Sequence, residues 1–286
     1  MKNTIGIYFG LALLSPVLLL SQKREKDSVV DKPERPAFES SFIIDNPNNV
    51  LFSKNTLEVQ MSHRFGLINE GTNDMLGFWG PSNIRMGVAY SIHERLTLGF
   101  GTTKFNRLQD FNWKVGILNQ TRSSRIPVSV SYYGNFTIDA RKRENFSLDQ
   151  HRYSYFNQLI IARRFSPKLS MQLAPSISHF NLVESRMRND VIGVAFGGRY
   201  KISDQTSILW DYSQPFTHHL NGERLDIDPE PGISLGFEFA TSAHAFQLFI
   251  TNMNGIVPQQ NYMKNTNDFF RGQILFGFNI TRNYNF

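Results

Sequence analysis

The sequence contains no cysteine. Disulfide bridges, thiolate metal sites, cysteine catalysis and lipid anchoring through a cysteine are therefore excluded. Long apolar runs are almost as scarce. The run from Ile5 to Leu20 has the length of a signal-peptide core and falls short of a membrane-spanning helix. No second run follows it, which excludes a helical membrane protein. A dense basic block is missing too. The formal net charge of +6 is spread along the chain, so nucleic-acid binding has no support and only a weak preference for anionic lipid headgroups remains. Nothing in the residue spacing calls for a cofactor or a metal.

What the chain has in abundance is aromatic side chains, with 25 Phe, 10 Tyr and 3 Trp, a bias that suits β structure. The mean hydropathy of −0.31 is low for a membrane protein. In a β-barrel, however, half of each strand faces a polar lumen, so the average is uninformative. Alternation says more. In the last stretch, Ile274, Phe276, Phe278, Ile280, Tyr284 and Phe286 share one face, while Gln273, Gly277, Asn279, Thr281, Asn283 and Asn285 share the other. Only Arg282 breaks the apolar row. Such a strand suits the closing strand of an outer-membrane barrel, and its terminal Phe286 fits the signature that barrel-assembly machinery reads. The competing reading is the last strand of a secreted β-sandwich.

Taken in order, residues 1–22 read as a signal peptide cleaved near Ser21 or Gln22. The alternative is an anchor helix held by Lys23, Arg24 and Lys26. Residues 23–54 begin as a charged, proline-containing periplasmic tail. They continue as a more apolar piece, Phe38 to Phe52, which Asn46-Pro47 makes unfit for a central strand. An ordered lead-in to the first strand is its plainer reading; a plug across the barrel mouth or inside the lumen is the other. From position 55 to 286, period-two segments recur about twelve times. Leu57, Val59, Met61, His63 and Phe65 form one apolar row, Ile84 to Ile92 another, and Ile126, Val128, Val130, Tyr132 and Phe136 a third. Near Tyr153 to Arg164 both faces are apolar and the register stays open.

The links between segments provide a separate test. His93 to Arg95, Ser166 to Lys168, Ser203 to Gln205 and Thr241 to His244 are tight, and Asn119 to Arg125 is slightly longer. Between them fall long links such as Gly66 to Asn83, Asp139 to Arg152, Gln214 to Gly232 and Thr251 to Asp268, with only Asn106 to Asp110 short. Short and long alternate, as periplasmic turns and outer loops do in an outer-membrane barrel. The same topology sorts aromatics into two belts: Phe65, Phe105, Phe111, Trp113, Phe136, Tyr153, Tyr155, Trp210 and Tyr212 by the long loops, and Tyr90, Tyr200, Tyr284 and Phe286 by the turns. The expected architecture is all-β, a single up-and-down antiparallel transmembrane β-barrel of about twelve strands. It would sit in the outer membrane of a Gram-negative bacterium with both termini in the periplasm.

Several segments carry a family resemblance: FESSFIIDNPNNV, KNTLEVQMSHRFG, PSNIRMGVAYSI, YSYFNQLIIARRF, LGFEFATSAHAFQLFITN and FGFNITR. Over roughly Phe38 to Phe286 the chain resembles a family of bacterial outer-membrane β-barrels catalogued as domain of unknown function 5777. The resemblance implies fold and location, and no reaction or substrate comes with it.

The inward positions Glu58, Arg64, Arg85, Lys114, Arg199, Asp211 and Glu238 make a lumen that is either wet or braced by ion pairs. A narrow passive channel for ions or small polar solutes is the functional reading; a structural or partner-docking barrel is the alternative. Ser176, Ser178, His179 and Asn181 raise the question of lipid hydrolysis on the outer surface. Alternation turns Ser178 away from His179, so no catalytic residue is assigned and a non-enzyme is expected. The loop with His218, His219, Glu223, Asp226, Asp228 and Glu230 lacks EF-hand spacing and reads as solvated rather than calcium-binding. The basic loop Asp139 to Arg152 could meet lipopolysaccharide phosphates, although an ordinary exposed loop explains it as well. The expected partners are outer-membrane lipids, lipopolysaccharide and, during insertion, the barrel-assembly machinery.

Overall fold

The computed structural model describes residues 31–217 and 225–286. The expected signal peptide, the first part of the tail, and His218, His219 and Glu223 lie outside the described residues. Within them, twelve antiparallel strands close into one barrel. In chain order they are β1 (Thr56–Leu67), β2 (Asn83–His93), β3 (Leu96–Thr103), β4 (Leu108–Leu118), β5 (Ser129–Asp139), β6 (Tyr153–Arg164), β7 (Leu169–Phe180), β8 (Asp190–Lys201), β9 (Thr206–Phe216), β10 (Gly232–Ala240), β11 (His244–Thr251) and β12 (Leu275–Asn285). Each pairs with its sequence neighbour, and β1 pairs with β12 from Thr56↔Asn285 to Arg64↔Gly277, so no edge is left open.

Alternation along each strand decides which side chain goes where. In β2 the residues Asn83, Arg85, Ala89 and Ser91 are buried inside, whereas Met86, Val88, Tyr90 and Ile92 are exposed outside. The other strands repeat this inside-out arrangement: Leu98, Phe100, Ile177, Ile192, Phe237 and Leu248 face outward and exposed. In water so continuous an apolar surface would be strongly unfavourable, at about 25 cal/mol for each Å² left wet. Hydrocarbon reverses that sign, and a closed barrel leaves no unpaired ladder group to meet it. Among the described residues no helix is long and apolar enough to cross a membrane, so the strands are what spans.

Five links at one end and six at the other differ as the sequence suggests. The turn end has residues 94–95, 119–128, 165–168, 202–205 and 241–243; the loop end has 68–82, 104–107, 140–152, 181–189, 217–231 and 252–274. The link 119–128 is longer than expected, since Ile126 and Val128 belong to it and β5 starts at Ser129. Its backbone is occupied elsewhere: Thr121 N–H donates to the Ile126 carbonyl, Arg122 N–H to that of Lys32, and Glu34 N–H to that of Gln120. The open register of β6 resolves with Ser154, Phe156, Gln158, Ile160 and Ala162 inward. Trp113 and Trp210 stand at mid-strand rather than at strand ends, because β4 starts back at Leu108 and β9 runs on to Phe216. Each indole lies over a glycine of the neighbouring strand, Gly134 and Gly198, where a Cβ would collide with the ring. Tyr90, Tyr200, Tyr284 and Phe286 lie toward the turn end, and Tyr212 is in the loop-side half of β9.

Candidate functional site: a lumen occupied from both ends

Two segments of the chain itself occupy the inside of the barrel. From the turn end, where Pro33 bridges Thr121, the chain before β1 runs up into the lumen, reverses and comes back. The reversal is a tight hairpin: Phe42 bridges Pro47, Ile43 N–H donates to the Asn46 carbonyl at 3.0 Å, and Asn48 N–H to that of Ser41 at 3.1 Å. Asn46-Pro47, which unfits the segment for a barrel strand, is what a turn favours. Its apolar side chains Ala37, Phe38, Ile43, Ile44 and Val50 pack with Ala162, Leu209 and Phe249 of the wall.

Polar wall residues grip the hairpin at every level. At its tip the Asp211 carboxylate accepts the Asp45 and Asn46 backbone N–H groups, both at 2.9 Å, and the Asn46 side-chain amide at 2.9 Å. Charge-assisted bonds to a converging set of backbone donors are among the stronger neutral-to-ion contacts. Asp45 in turn pairs with Arg64 at 2.8 Å, with both side chains 1% exposed, and accepts the Ser234 and Thr251 hydroxyls. Arg64 also stacks on the Phe249 ring at 4.4 Å. Lower down, Lys114 Nζ donates to the carbonyls of Ser41 and Val50, one on each arm of the hairpin, both at 3.1 Å. Glu58 accepts from Ser41 and Gln60, Arg199 pairs with Glu39 at 2.6 Å, and Glu238 accepts from Gln247 and Ser40.

Of the seven inward charges read from the sequence, six therefore touch this segment. The seventh, Arg85, braces the wall itself through two 2.8 Å bonds to Asp110. The sequence reading missed Glu39, Asp45 and Asp110. Asp110 sits two positions before Asn112 on the lumen-facing row, so extending that row by one step finds it. Glu39 and Asp45 lie in a segment without a period, and nothing local marks them as facing a wall.

The second occupant comes from the loop end. Within residues 252–274 a short helix, α1 (Pro258–Lys264), drops into the mouth on the side of β5 to β8. Tyr262 and Met263 pack with Tyr133, Phe156, Ile160, Ala174, Phe180, Val191 and Ala195. The Tyr262 and Phe156 rings lie 5.5 Å apart. Gly193 makes the room, because a Cβ there would stand 2.3 Å from the Tyr262 ring. Gln259 donates to Asn135 at 3.0 Å and Thr137 at 2.8 Å. The two occupants meet where the Tyr262 hydroxyl donates to Asn46 Oδ1 at 3.1 Å. Burial pushes the Tyr262 phenol above its ordinary pKa, so at neutral pH it is a donor.

On the outer surface His179 is engaged through both ring nitrogens, 2.9 Å from Asp190 and 2.9 Å from Asn181. Ser178 is buried on the lumen side, and Ser176 donates to the Gly193 carbonyl. No hydroxyl is brought to the imidazole by these contacts. In the loop 140–152, Arg141 pairs with Asp139 at 2.7 Å, and both Arg141 and Arg152 stack over Phe146. Asp228 accepts the Leu225 N–H, and the described residues contain no cluster of metal-ligating side chains.

A closed strand cylinder with an apolar exterior and a polar, filled interior defines an outer-membrane β-barrel. The family comparison agrees and is specific. Residues 38–284 match the model described as "Membrane bound beta barrel domain (DUF5777)", and the chain belongs to that family. No curated protein matches the sequence. Among solved structures the chain is similar to a NanC porin, at 8% identity and a TM-score of 0.52 over 80% of this chain and 100% of that one. It is also similar to a KdgM porin, at 6% identity and a TM-score of 0.47 over 81% and 99%. At such identities the likeness concerns the fold.

Proposed function

We propose that the protein is a plugged outer-membrane channel for ions or small polar solutes, held closed by the hairpin of residues 33–52. This reading puts both termini in the periplasm, with the hairpin entering from the periplasmic side and the long loops facing outward. The observation that carries this reading is the chemistry of the contact between wall and hairpin. A barrel that served only as a cylinder would be as stable, or more so, with an apolar filling, since buried ion pairs roughly break even against packed hydrophobic groups. Here the wall keeps Glu58, Arg64, Lys114, Arg199, Asp211 and Glu238. Water can solvate each of them once the hairpin leaves, which makes an emptied lumen an accessible state. Twelve strands enclose more room than an eight-stranded barrel, whose side chains fill it. The porin named among the structural neighbours supports the same class.

A second reading, a non-transporting barrel that docks a partner, is favoured by the occupancy of both ends of the lumen. Ion flux into liposomes separates the two. Intact protein is expected to pass little, and a variant lacking residues 33–52 to pass salt and small sugars. A deleted barrel that folds, shown by heat-modifiable gel migration, yet remains tight would overturn the channel reading.

The same proposal includes no enzymatic role. The engaged His179 ring and the inward Ser178 support that, and phospholipid turnover lost in His179→Ala would contradict it. Phe286, exposed at the turn end, is offered as the residue the assembly machinery reads. Lys142 and Arg143 in loop 140–152 are offered as contacts for lipopolysaccharide phosphates.

A further inference from the structure

The loop between β1 and β2 divides into two chemistries. Residues 69–74 are polar, and Met75 to Pro81 are apolar with two glycines among them. Met75, Leu76, Phe78 and Trp79 are all exposed, Trp79 at 73%. This half of the loop lies against the outside of the closing seam. The Phe78 ring is 4.5 Å from Phe65 of β1 and 6.0 Å from Phe276 of β12, both on the outward rows. Glycines permit the approach: a Cβ on Gly77 would stand 2.2 Å from the Gly66 carbonyl oxygen, and one on Gly66 would stand 2.9 Å from the Gly80 Cα.

The backbone is committed to this placement. Met75, Leu76 and Gly77 are consecutive left-handed residues, with φ of 49°, 55° and 86°, a conformation unfavourable for the two that carry a Cβ. In water, strain that exposes Met and Leu beside Phe and Trp would have no compensation. The β3–β4 link, at the same end of the barrel, adjoins the patch. Its Lys104 Nζ donates to the Ser82 carbonyl at 3.1 Å, and Phe105 is exposed beside it.

We propose that residues 75–81 are an interfacial lipid anchor, in which Met75, Leu76, Phe78 and Trp79 enter the lipid leaflet at the loop end of the barrel. The occupant is lipid because the patch continues the outward row of Phe65, Phe276 and Phe278, which hydrocarbon already covers in a membrane-bound barrel. Trp at such a boundary keeps its ring in the apolar zone and its N–H near water, and Lys104 marks headgroup level beside it. The loop thereby widens the barrel's lipid contact at the seam where first and last strands join. Nothing in this depends on whether the lumen conducts.

The chain's other tryptophans, Trp113 and Trp210, are replaced by Phe so that Trp79 reports alone. The barrel is folded into phosphatidylcholine vesicles whose acyl chains carry bromine either near the headgroup or near the chain end. Blue-shifted emission is expected, with stronger quenching by the shallow bromines than by the deep ones and little by aqueous iodide. Gly77→Val, which cannot seat the loop, is expected to lose the lipid quenching while heat-modifiable migration shows an intact barrel. Water-like emission that iodide quenches and bromine does not would overturn the proposal. So would shielding from both quenchers together with cross-linked dimers, which would assign the patch to a second copy of the chain.

Discussion

The two occupants of the lumen are held by different physics. The hairpin is gripped through charge and hydrogen bonds, with Asp211 on its tip, Arg64 on Asp45 and Lys114 across its two arms. The helix α1 is held largely by shape, with Tyr262 and Met263 among the apolar side chains of β5 to β8 and Gly193 leaving space for a ring. Apolar packing is insensitive to which water or ion is nearby and loses its contacts gradually. A carboxylate bonded to backbone donors is all or none, and the wall charge it leaves behind is stable only if water follows. The helix therefore suits a permanent lining of the mouth, and the hairpin suits a stopper.

The largest effect is expected from removing both occupants. A variant lacking residues 33–52, with 253–268 replaced by a short turn, is expected to show more ion flux than one lacking the hairpin alone; equal flux would mean that α1 blocks nothing. Next, Asp45→Ala leaves the Arg64 guanidinium without its carboxylate. If the lumen stays dry, removing one member of a buried pair costs about 3–5 kcal/mol, read as a lower denaturant midpoint. If water follows, the stability loss shrinks and leak current appears instead. Unchanged stability with no leak would show that the pair does not hold the tip.

Gly193→Val should act on the helix side only. Its side chain takes the place of the Tyr262 ring and displaces α1, with overpacking costing about 1–3 kcal/mol, while protease protection of the hairpin persists. Loss of that protection would mean the two occupants form one unit. Tyr262→Phe is the smallest test, since it deletes the hydrogen bond from the helix to Asn46 of the hairpin, worth about 1 kcal/mol. The phenol's raised pKa gives the sign of a pH effect. The neutral form is favoured in the folded state, so the contribution is complete below about pH 10 and is lost as pH climbs toward the raised value. Melting profiles above that pH should fall less steeply for Tyr262→Phe than for the natural chain.

The wall was legible in the sequence because lipid on one side and polar groups on the other impose a two-residue period that Leu57 to Phe65 or Ile84 to Ile92 display. The inward charges follow from the same count. Where the lumen is itself apolar the count fails: Phe156 and Ile160 face inward against Tyr262 and Met263, so β6 reads apolar on both faces. The mid-strand positions of Trp113 and Trp210 were hidden because Asp110 and Ser213 extend their strands with polar, lumen-facing residues. The hairpin and α1 were illegible for a different reason. Each is made regular by the wall around it rather than by its own pattern, and a sequence read locally does not show that Asp45 has Arg64 to meet.

The most direct measurement of the hairpin's place uses the absence of cysteine in the natural chain. Ile44→Cys puts a single thiol at the buried hairpin tip, and a charged maleimide is applied to the folded barrel in vesicles. The expected result is little labelling until the protein is denatured, with Asp211→Ala raising the labelling in the folded state. Rapid labelling of the Ile44→Cys barrel with Asp211 intact would contradict a lumen closed by the hairpin.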